Sequence, residues 1–562
     1  MPRRRRSPVN RRIRLLLAIL LLIFVALLGR SVWLQGVRAA SLSRLASRQH
    51  RETVVLPASR GTIYDRMGVQ LAIGEQTTTV YADPQQVRDP RLVASASARS
   101  LGVNAGQLYA RLLDRKRSFF YVDRKADPLK AALLEKRHLA GLGFYPEERR
   151  WYPQSTVAAH VLGYAGLDNH GLAGLELQLD KTLSGTPGSE TIVRDPFGRA
   201  IDVVAERPER DGRDAFLTID HTIQANAESV LRQTVSKWNA TSATAIVLDP
   251  RNGDVLAMAD APGFNANRFG QVSPSVTRNR AVTDVYEPGS TFKLITVAGS
   301  LADHLVTPQT SFVLPYSMLV ADRTIHDAEL RGTETMTVAR ILAHSSNVGA
   351  ITLAENLGKD RLSSWIRRFG FGRQTGVGYP GESSGFVLPP DKWSGSTIGN
   401  VPIGQGIAVT PVQVAAAYGA VANDGVWVQP HLVDHVRGVR RMLPRTRRVV
   451  SPALAAQLNA MLQNVVLEGT GTLAAVPGYK VAGKTGTAQV PDGHGGYAGN
   501  RYVASFVGMV PASDPRLVIL VVVNEPRNAI WGGVVAAPAF AQIARYDLQY
   551  LEVPPDGVTA RG

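Results

Sequence analysis

A chain of 562 residues is too long for one ordinary hydrophobic core and implies two or three domains. It contains no cysteine, which excludes disulfides, thiol catalysis and cysteine metal sites. The net charge is +17, yet lysine supplies only 11 of the 63 basic residues, so a lysine inside a motif stands out.

The charge begins at the N-terminus. Arg3, Arg4, Arg5, Arg6, Arg11, Arg12 and Arg14 come with no acid among them, and an apolar run follows from Leu15 to Gly29. Arginines ahead of an apolar run mark the cytoplasmic side of a membrane segment, whereas a nucleic-acid arm would not lead into one. The run of 15 residues falls short of the ~20 a span needs. Arg30 can snorkel to the far interface, however, and Ser31-Val32-Trp33-Leu34 extends the stretch with an interfacial aromatic. The expected organisation is a basic cytoplasmic tail over 1–14 and an uncleaved single-pass anchor over 15–36, with later residues outside the cytoplasm. A signal peptide cleaved near Val37-Arg38-Ala39 is the other reading.

Residues 37–215 are rich in turns and charge, with short strand-like pieces such as Thr77 to Ala82, and suggest an elongated mixed pedestal. From about 216 the pattern changes. Thr244 to Leu248 and Val255 to Met258 flank a turn containing Asn252-Gly253, which reads as a hairpin. Tyr502 to Gly508 and Leu517 to Val523 form a second pair around Pro511 to Pro515. Helical stretches lie between, such as Val348 to Leu357 and Val412 to Ala422, and Ala536 to Tyr550 closes the chain ahead of a short tail over 551–562. Strands from both ends with helices in the middle imply an α+β domain over 216–550, one antiparallel sheet packed by helices.

Three short motifs fall inside this domain in order. Ser290-Thr291-Phe292-Lys293 is the only Ser-x-x-Lys in the chain, Ser345-Ser346-Asn347 comes next, and Lys484-Thr485-Gly486-Thr487 lies 194 residues after Ser290. Together they are the parts of an acyl-serine transferase site. Pro288-Gly289 ends one segment, so Ser290 is placed at a helix start, and Lys293 shares its face at i+3. A serine alcohol needs an adjacent base. Lysine serves only if desolvation or a like charge lowers its pKa, and Lys484 is expected to supply that charge. Ser345 is suited to proton relay and Asn347 to holding a substrate amide. Lys484 would attract a substrate carboxylate that Thr485 and Thr487 hydrogen-bond, Gly486 would let a ligand approach the backbone, and the N–H groups of Ser290 and Thr487 would form an oxyanion hole. The basic loop Arg437 to Arg448 holds six arginines and no acid, either a solvated loop or a contact for phospholipid headgroups or an anionic partner. His344 is read as structural.

These motifs resemble those of the class B penicillin-binding proteins. In the pedestal, Arg60-Gly61-Thr62-Ile63-Tyr64-Asp65-Arg66, Arg149-Arg150-Trp151-Tyr152-Pro153, His160-Val161-Leu162-Gly163 and Gly171 to Glu176 are similar to family motifs. So are Gly404 to Gln413 and Gly469 to Thr472. The Ser-Ser-Asn and Lys-Thr-Gly-Thr forms resemble the division-specific (FtsI) type. Trp531 lies where paired aromatics face the ligand in such enzymes, and Ile530 replaces one of the pair. The resemblance implies a peptidoglycan D,D-transpeptidase working through an acyl-serine on Ser290, with stem pentapeptide as substrate and β-lactams as inhibitors, and without metal or organic cofactor. It also implies a membrane setting and partnership with a lipid-linked-precursor glycosyltransferase and other divisome proteins, with no role for nucleic acid. The elongation-specific relative and a non-catalytic division scaffold are the alternatives. A scaffold should have lost Ser290, Lys293 or Lys484, and all are present.

Overall fold

The computed structural model describes residues 8–39, 51–194, 200–494 and 496–557. Arg3 to Arg6 therefore lie outside the described residues, as do 558–562 of the tail. The chain divides into two compact units, one of Met1–Ala58 with Gly185–Asp211, the other of Ser59–Ser184 with Gly212–Gly562.

The first unit contains a helix, Pro8–Val32, followed by a wider turn over Trp33–Val37. The stretch Arg11–Val37 spans 27 residues and is long and apolar enough to cross a membrane. At 1.5 Å per residue it measures about 40 Å, more than a hydrocarbon core of ~30 Å. The helix passes through Arg30 without a break, and the guanidinium groups of Arg30 and Arg38 lie over the Trp33 ring at 5.0 and 4.6 Å. That arrangement suits an interfacial aromatic flanked by snorkelling cations. The same unit holds a three-stranded antiparallel sheet with Gly188–Arg194 between Arg51–Leu56 and Ala200–Arg207.

In the second unit, a six-stranded sheet carries Gln70–Ala82 at its centre, paired with Ile63–Tyr64, Phe120–Ala126 and Leu142–Trp151. It continues through Ala215–Leu217 into Val433–Val436, so a strand from far along the chain completes a sheet begun before residue 65. The pedestal motifs meet beside this sheet. Arg60 Nε donates to Glu176 at 2.8 Å, and its Nη1 donates to Asp180 at 2.7 Å. Arg150 Nε donates to the other Glu176 oxygen at 2.6 Å and its Nη1 to the Gly61 carbonyl. Glu176 is fully buried. A carboxylate there is tolerable because two arginines neutralise it and hydrogen bonds occupy its lone pairs. His160 connects onward, its carbonyl accepting from Tyr379 Oη at 2.7 Å.

The remaining sheet has five antiparallel strands in the order Val255–Ala261, Ser242–Leu248, Leu517–Asn524, Tyr497–Val510, Ala482–Pro491. Both expected hairpins are present and are joined edge to edge, Ser242–Leu248 pairing with Leu517–Asn524. Alternate residues point to opposite faces of a strand. Leu517, Ile519, Val521 and Val523 enter one core with the helices His221–Trp238 and Ala537–Tyr550, while Val518, Leu520 and Val522 enter the other, with Pro411–Ala422. Helices on both sides explain why this strand reads as a continuous apolar run. The Lys-Thr-Gly strand is the edge and begins at Ala482. Tyr479 and Lys480 precede it, with Tyr479 Oη donating to the Val553 carbonyl and the Lys480 N–H to Asp556.

Candidate active site

Ser290 lies in a tight 3-10 turn, Gly289–Phe292, which passes into the helix Lys293–Ala302. The turn is braced from three sides. Gly289 N–H donates to the Gly404 carbonyl at 3.1 Å, Tyr418 Oη to the Thr291 carbonyl at 2.8 Å, and Gly406 N–H to Glu287 Oε1 at 2.8 Å. The other Glu287 oxygen accepts from Tyr497 Oη. Gly289 has φ +55°, and a Cβ there would stand 2.9 Å from the Thr487 carbonyl oxygen. Glycine is what allows the serine turn to lie against the edge strand.

Lys293 and Lys484 are buried, at 1% and 0% exposure. Both point at Ser345. Lys293 Nζ donates to Ser345 Oγ at 3.1 Å, to its carbonyl at 2.5 Å and to Asn347 Oδ1 at 2.7 Å. Lys484 Nζ donates to Ser345 Oγ at 2.9 Å and to Thr485 Oγ1 at 3.3 Å. A hydroxyl that accepts two such bonds keeps its own proton to donate. Burial pushes Lys293 down to about 7, against the opposing pull of the Asp327 charge. Burial also carries Lys484 well below its ordinary value, and the neighbouring Lys293 lowers it further. Of the two causes open for Lys293, desolvation is the one that lowers it, and the like-charge repulsion bears on Lys484. Two buried ammonium groups sharing one acceptor cannot both stay charged cheaply.

Ser345 itself has φ +60°, left-handed backbone at a non-glycine residue. The next two residues hold it there. The helix Asn347–Leu357 starts on Ser346, whose Oγ accepts from Gly349 N–H at 3.0 Å. Asp327 accepts from the Ser346 hydroxyl and from the N–H groups of Asn347 and Val348, and pairs with Arg331 at 2.5 Å. Asn347 Nδ2 donates to the His326 carbonyl at 2.9 Å, which turns its oxygen toward Lys293. No local sequence signal marks Asp327. It lies 20 residues before Asn347 in a stretch without periodicity, and only the tertiary structure makes it the anchor of the Ser-x-Asn turn. His344 is exposed, its N–H closing the preceding helix onto the Arg340 carbonyl.

Along the edge strand the residues divide by exposure. Thr485 is buried and its hydroxyl is tied to Thr470 Oγ1 at 2.7 Å, so Thr470, within the Gly469 to Thr472 stretch, supports the strand from behind. Thr487 is half-buried and accepts from Gly532 N–H at 3.0 Å, leaving its proton available. The space beside Gly486 is filled by the chain: a Cβ would meet Ser505 Oγ at 2.3 Å, the Pro288 carbonyl at 2.9 Å and Thr291 Cγ2 at 3.0 Å. Close packing of the serine turn, in place of approach by a ligand, therefore accounts for this glycine. Trp531 is 48% exposed next to Gly532. Lys293, Ser345, Asn347, Lys484 and Thr485 are thus joined by direct hydrogen bonds, Ser290 and Thr487 meet through Gly289, and Trp531 adjoins through the Gly532 bond.

Among the described residues, Asp65, Asp220 and His221 form a group of metal-ligating type, with ligand atoms within 4.8 Å of one another. Their oxygens are already engaged. Asp65 accepts from Met67 and Val69 N–H and faces His221 Nδ1 at 2.7 Å, and Asp220 caps the His221–Trp238 helix. This is a structural corner.

Residues 243–545 match the penicillin binding protein transpeptidase domain, and residues 55–217 match the penicillin-binding protein dimerisation domain. The chain is 35% identical to stage V sporulation protein D of Bacillus subtilis, over 98% of this chain and 87% of that protein. It is 33% identical to the peptidoglycan D,D-transpeptidase FtsI of Escherichia coli K12, over 98% of this chain and 94% of the relative. The crystal structure of penicillin binding protein 3 from Mycobacterium tuberculosis, complexed with aztreonam, superposes with a TM-score of 0.70 at 31% identity, covering 89% of this chain and 98% of the other. With its Ser-x-x-Lys turn, Ser-x-Asn turn and Lys-Thr-Gly edge strand gathered at one place, the chain belongs to the penicillin-binding transpeptidases, as a class B member of the FtsI type.

Proposed function

We propose that the chain is the peptidoglycan D,D-transpeptidase that cross-links stem peptides at the division septum. The observation that carries the chemistry is the convergence on the Ser345 hydroxyl of Lys484 and of Lys293, which lies one turn of chain after Ser290. Ser290 Oγ attacks the carbonyl of the penultimate D-alanine of a stem pentapeptide, and neutral Lys293 takes its proton. The N–H groups of Ser290 and Thr487 receive the oxyanion. As the C–N bond breaks, the proton passes through Ser345 to the departing D-alanine amine. The amine of a second stem then attacks the acyl-enzyme, forming the cross-link and returning Ser290 to its hydroxyl. Lys484, with Thr487 at the open end of the strand, holds the terminal carboxylate. Asn347 orients Lys293 and offers the substrate amide a partner, and Trp531 supplies an apolar wall.

A β-lactam presents the same acyl and carboxylate groups and acylates Ser290, the acyl group remaining because no second amine resolves it. The Arg11–Val37 helix serves as a single inner-membrane anchor with its arginine-rich end in the cytoplasm, placing the catalytic domain in the periplasm at the division site. A glycosyltransferase that polymerises lipid-linked precursor, with other divisome proteins, is the expected company. Depleting the protein in its host tests the pathway: filaments are expected, and round cells would assign it to elongation.

A further inference from the structure

The transpeptidase domain carries a second cluster of charge that the reaction does not use. Arg447 lies on the strand Thr446–Arg448, opposite Trp427 in a two-stranded ribbon with Val426–Val428, and Arg445 immediately precedes that strand, its Nε donating to Gln429 Oε1 at 2.9 Å. The Arg447 guanidinium is stacked on Trp427 at 4.5 Å and donates to the carbonyl of Arg368, at the end of the helix Lys359–Phe369. Arg368 lies over Trp365 at 4.8 Å. The loop beyond the helix turns back through Gly370 and Gly376. A Cβ at Gly370 would stand 2.9 Å from Arg447 Nη2, and one at Gly376 would stand 2.7 Å from Arg445 Nη2. Arg373 lies on this loop, its carbonyl fixed by Gln413 Nε2 at 2.8 Å.

Among the described residues no carboxylate pairs with Arg368, Arg373, Arg445 or Arg447. The nearest acid on the loop, Glu382, is spent on the Thr375 N–H, the Thr375 hydroxyl and the Gly376 N–H. The helix C-terminus contributes about half a negative charge, which offsets only part of four guanidinium charges. Burial and the charges of Arg373 and Arg368 push Arg447 down to about 10, the mark of a cation kept without a counter-ion. Arginines that need only solubility stay extended in water. These are fixed by ring stacking, carbonyl bonds and two glycines that make room for them.

We propose that Arg368, Arg373, Arg445 and Arg447 form a binding site for a multiply charged phosphoryl group, a diphosphate or a phosphomonoester, carried by a soluble molecule or by a lipid headgroup. A guanidinium fork matches phosphate oxygens in pairs. A single carboxylate would leave most of the charge uncompensated, whereas a phosphomonoester brings about −1.5 to −2 at neutral pH.

Calorimetric titration of the full chain in zwitterionic micelles at low salt, with inorganic pyrophosphate as the probe, tests this. One saturable site is expected, weakened about tenfold or more by Arg373→Gln and by Arg445→Gln, as for loss of a charge-assisted pair. Both residues are exposed, so the folded state should survive, and melting curves with unchanged penicillin labelling would confirm it. Arg447→Gln should remove binding, though it also strips a helix-end contact. Absence of saturable binding, or binding indifferent to Arg373→Gln and Arg445→Gln, would overturn the proposal. Doping the micelles with phosphatidic acid, a lipid phosphomonoester, separates the sources. Competition with pyrophosphate assigns the site to a membrane headgroup, and undiminished pyrophosphate binding assigns it to a soluble phosphate.

Discussion

Lys484 Nζ donates to the Ser345 hydroxyl at 2.9 Å across 139 residues of sequence. That bond connects the edge strand of the sheet to the strained turn ahead of the Asn347–Leu357 helix, and it places one hydroxyl between the two buried lysines. Ser345→Ala removes the proposed relay and should slow acylation by penicillin about 10²–10⁴-fold. Ser345→Gly removes the same hydroxyl but relieves the left-handed backbone, so it should be slowed equally while being about 1 kcal/mol more stable than the alanine variant. Stopped-flow acylation with urea denaturation distinguishes them. A glycine variant that acylates at the wild-type rate would remove Ser345 from the proton path.

Acylation should depend on pH through Lys293. In the proposed reaction only the neutral Lys293 amine accepts the Ser290 proton, and burial pushes this amine down to about 7. The acylation rate should therefore rise with pH through about 7 and level off above it. Asp327 opposes the burial effect, so Asp327→Asn should move the midpoint to lower pH while keeping an acceptor for the helix N–H groups. A midpoint that moves upward would show that Asp327 acts on something other than the Lys293 charge.

Glu228 contributes a second pH dependence, of stability. It is 5% exposed on the His221–Trp238 helix, accepts from Ala158 N–H at 2.9 Å and Gln224 Nε2 at 2.8 Å, and is pushed up to about 7 by burial. The folded state holds this proton more tightly than the unfolded chain does. Its contribution is therefore complete below about 4.5 and is lost as pH rises through about 7, by roughly 3 kcal/mol. Glu228→Gln keeps an acceptor and should flatten that decline, melting above the wild type at pH 8. Equal melting temperatures at both ends of the window would contradict it.

Glu176 holds the pedestal motifs together. Glu176→Ala leaves Arg60 and Arg150 buried without their shared carboxylate, and should cost roughly 3–5 kcal/mol in chemical denaturation. A loss under about 1 kcal/mol would mean that Asp180 and the surrounding carbonyls suffice for the arginines.

The features legible in the sequence are local ones. The i, i+3 spacing of Ser290 and Lys293 and the turn residues around Asn252-Gly253 predict a helix start and a hairpin from neighbours alone, and both are present. The fused sheet is implied by apolar runs at both ends of the domain. Boundaries are obscured where polarity masks geometry. Tyr497 to Arg501 is polar yet belongs to a 14-residue strand, because its partner strand extends that far. Gly486 reads as space for a ligand when it is space for Pro288 and Thr291. Asp327, Glu287 and Thr470 act through contacts 15 or more residues away or on the hidden side of a strand, and no periodic signal marks such positions.

The proposed reaction turns on Ser290 as the nucleophile of this cluster. Intact-mass measurement of the full chain after exposure to a penicillin, followed by peptide mapping, tests it most directly. One penicilloyl adduct is expected, on the peptide carrying Ser290, absent from Ser290→Ala and slow to disappear in buffer. An adduct that persists in Ser290→Ala, or that maps to another residue, would contradict the account.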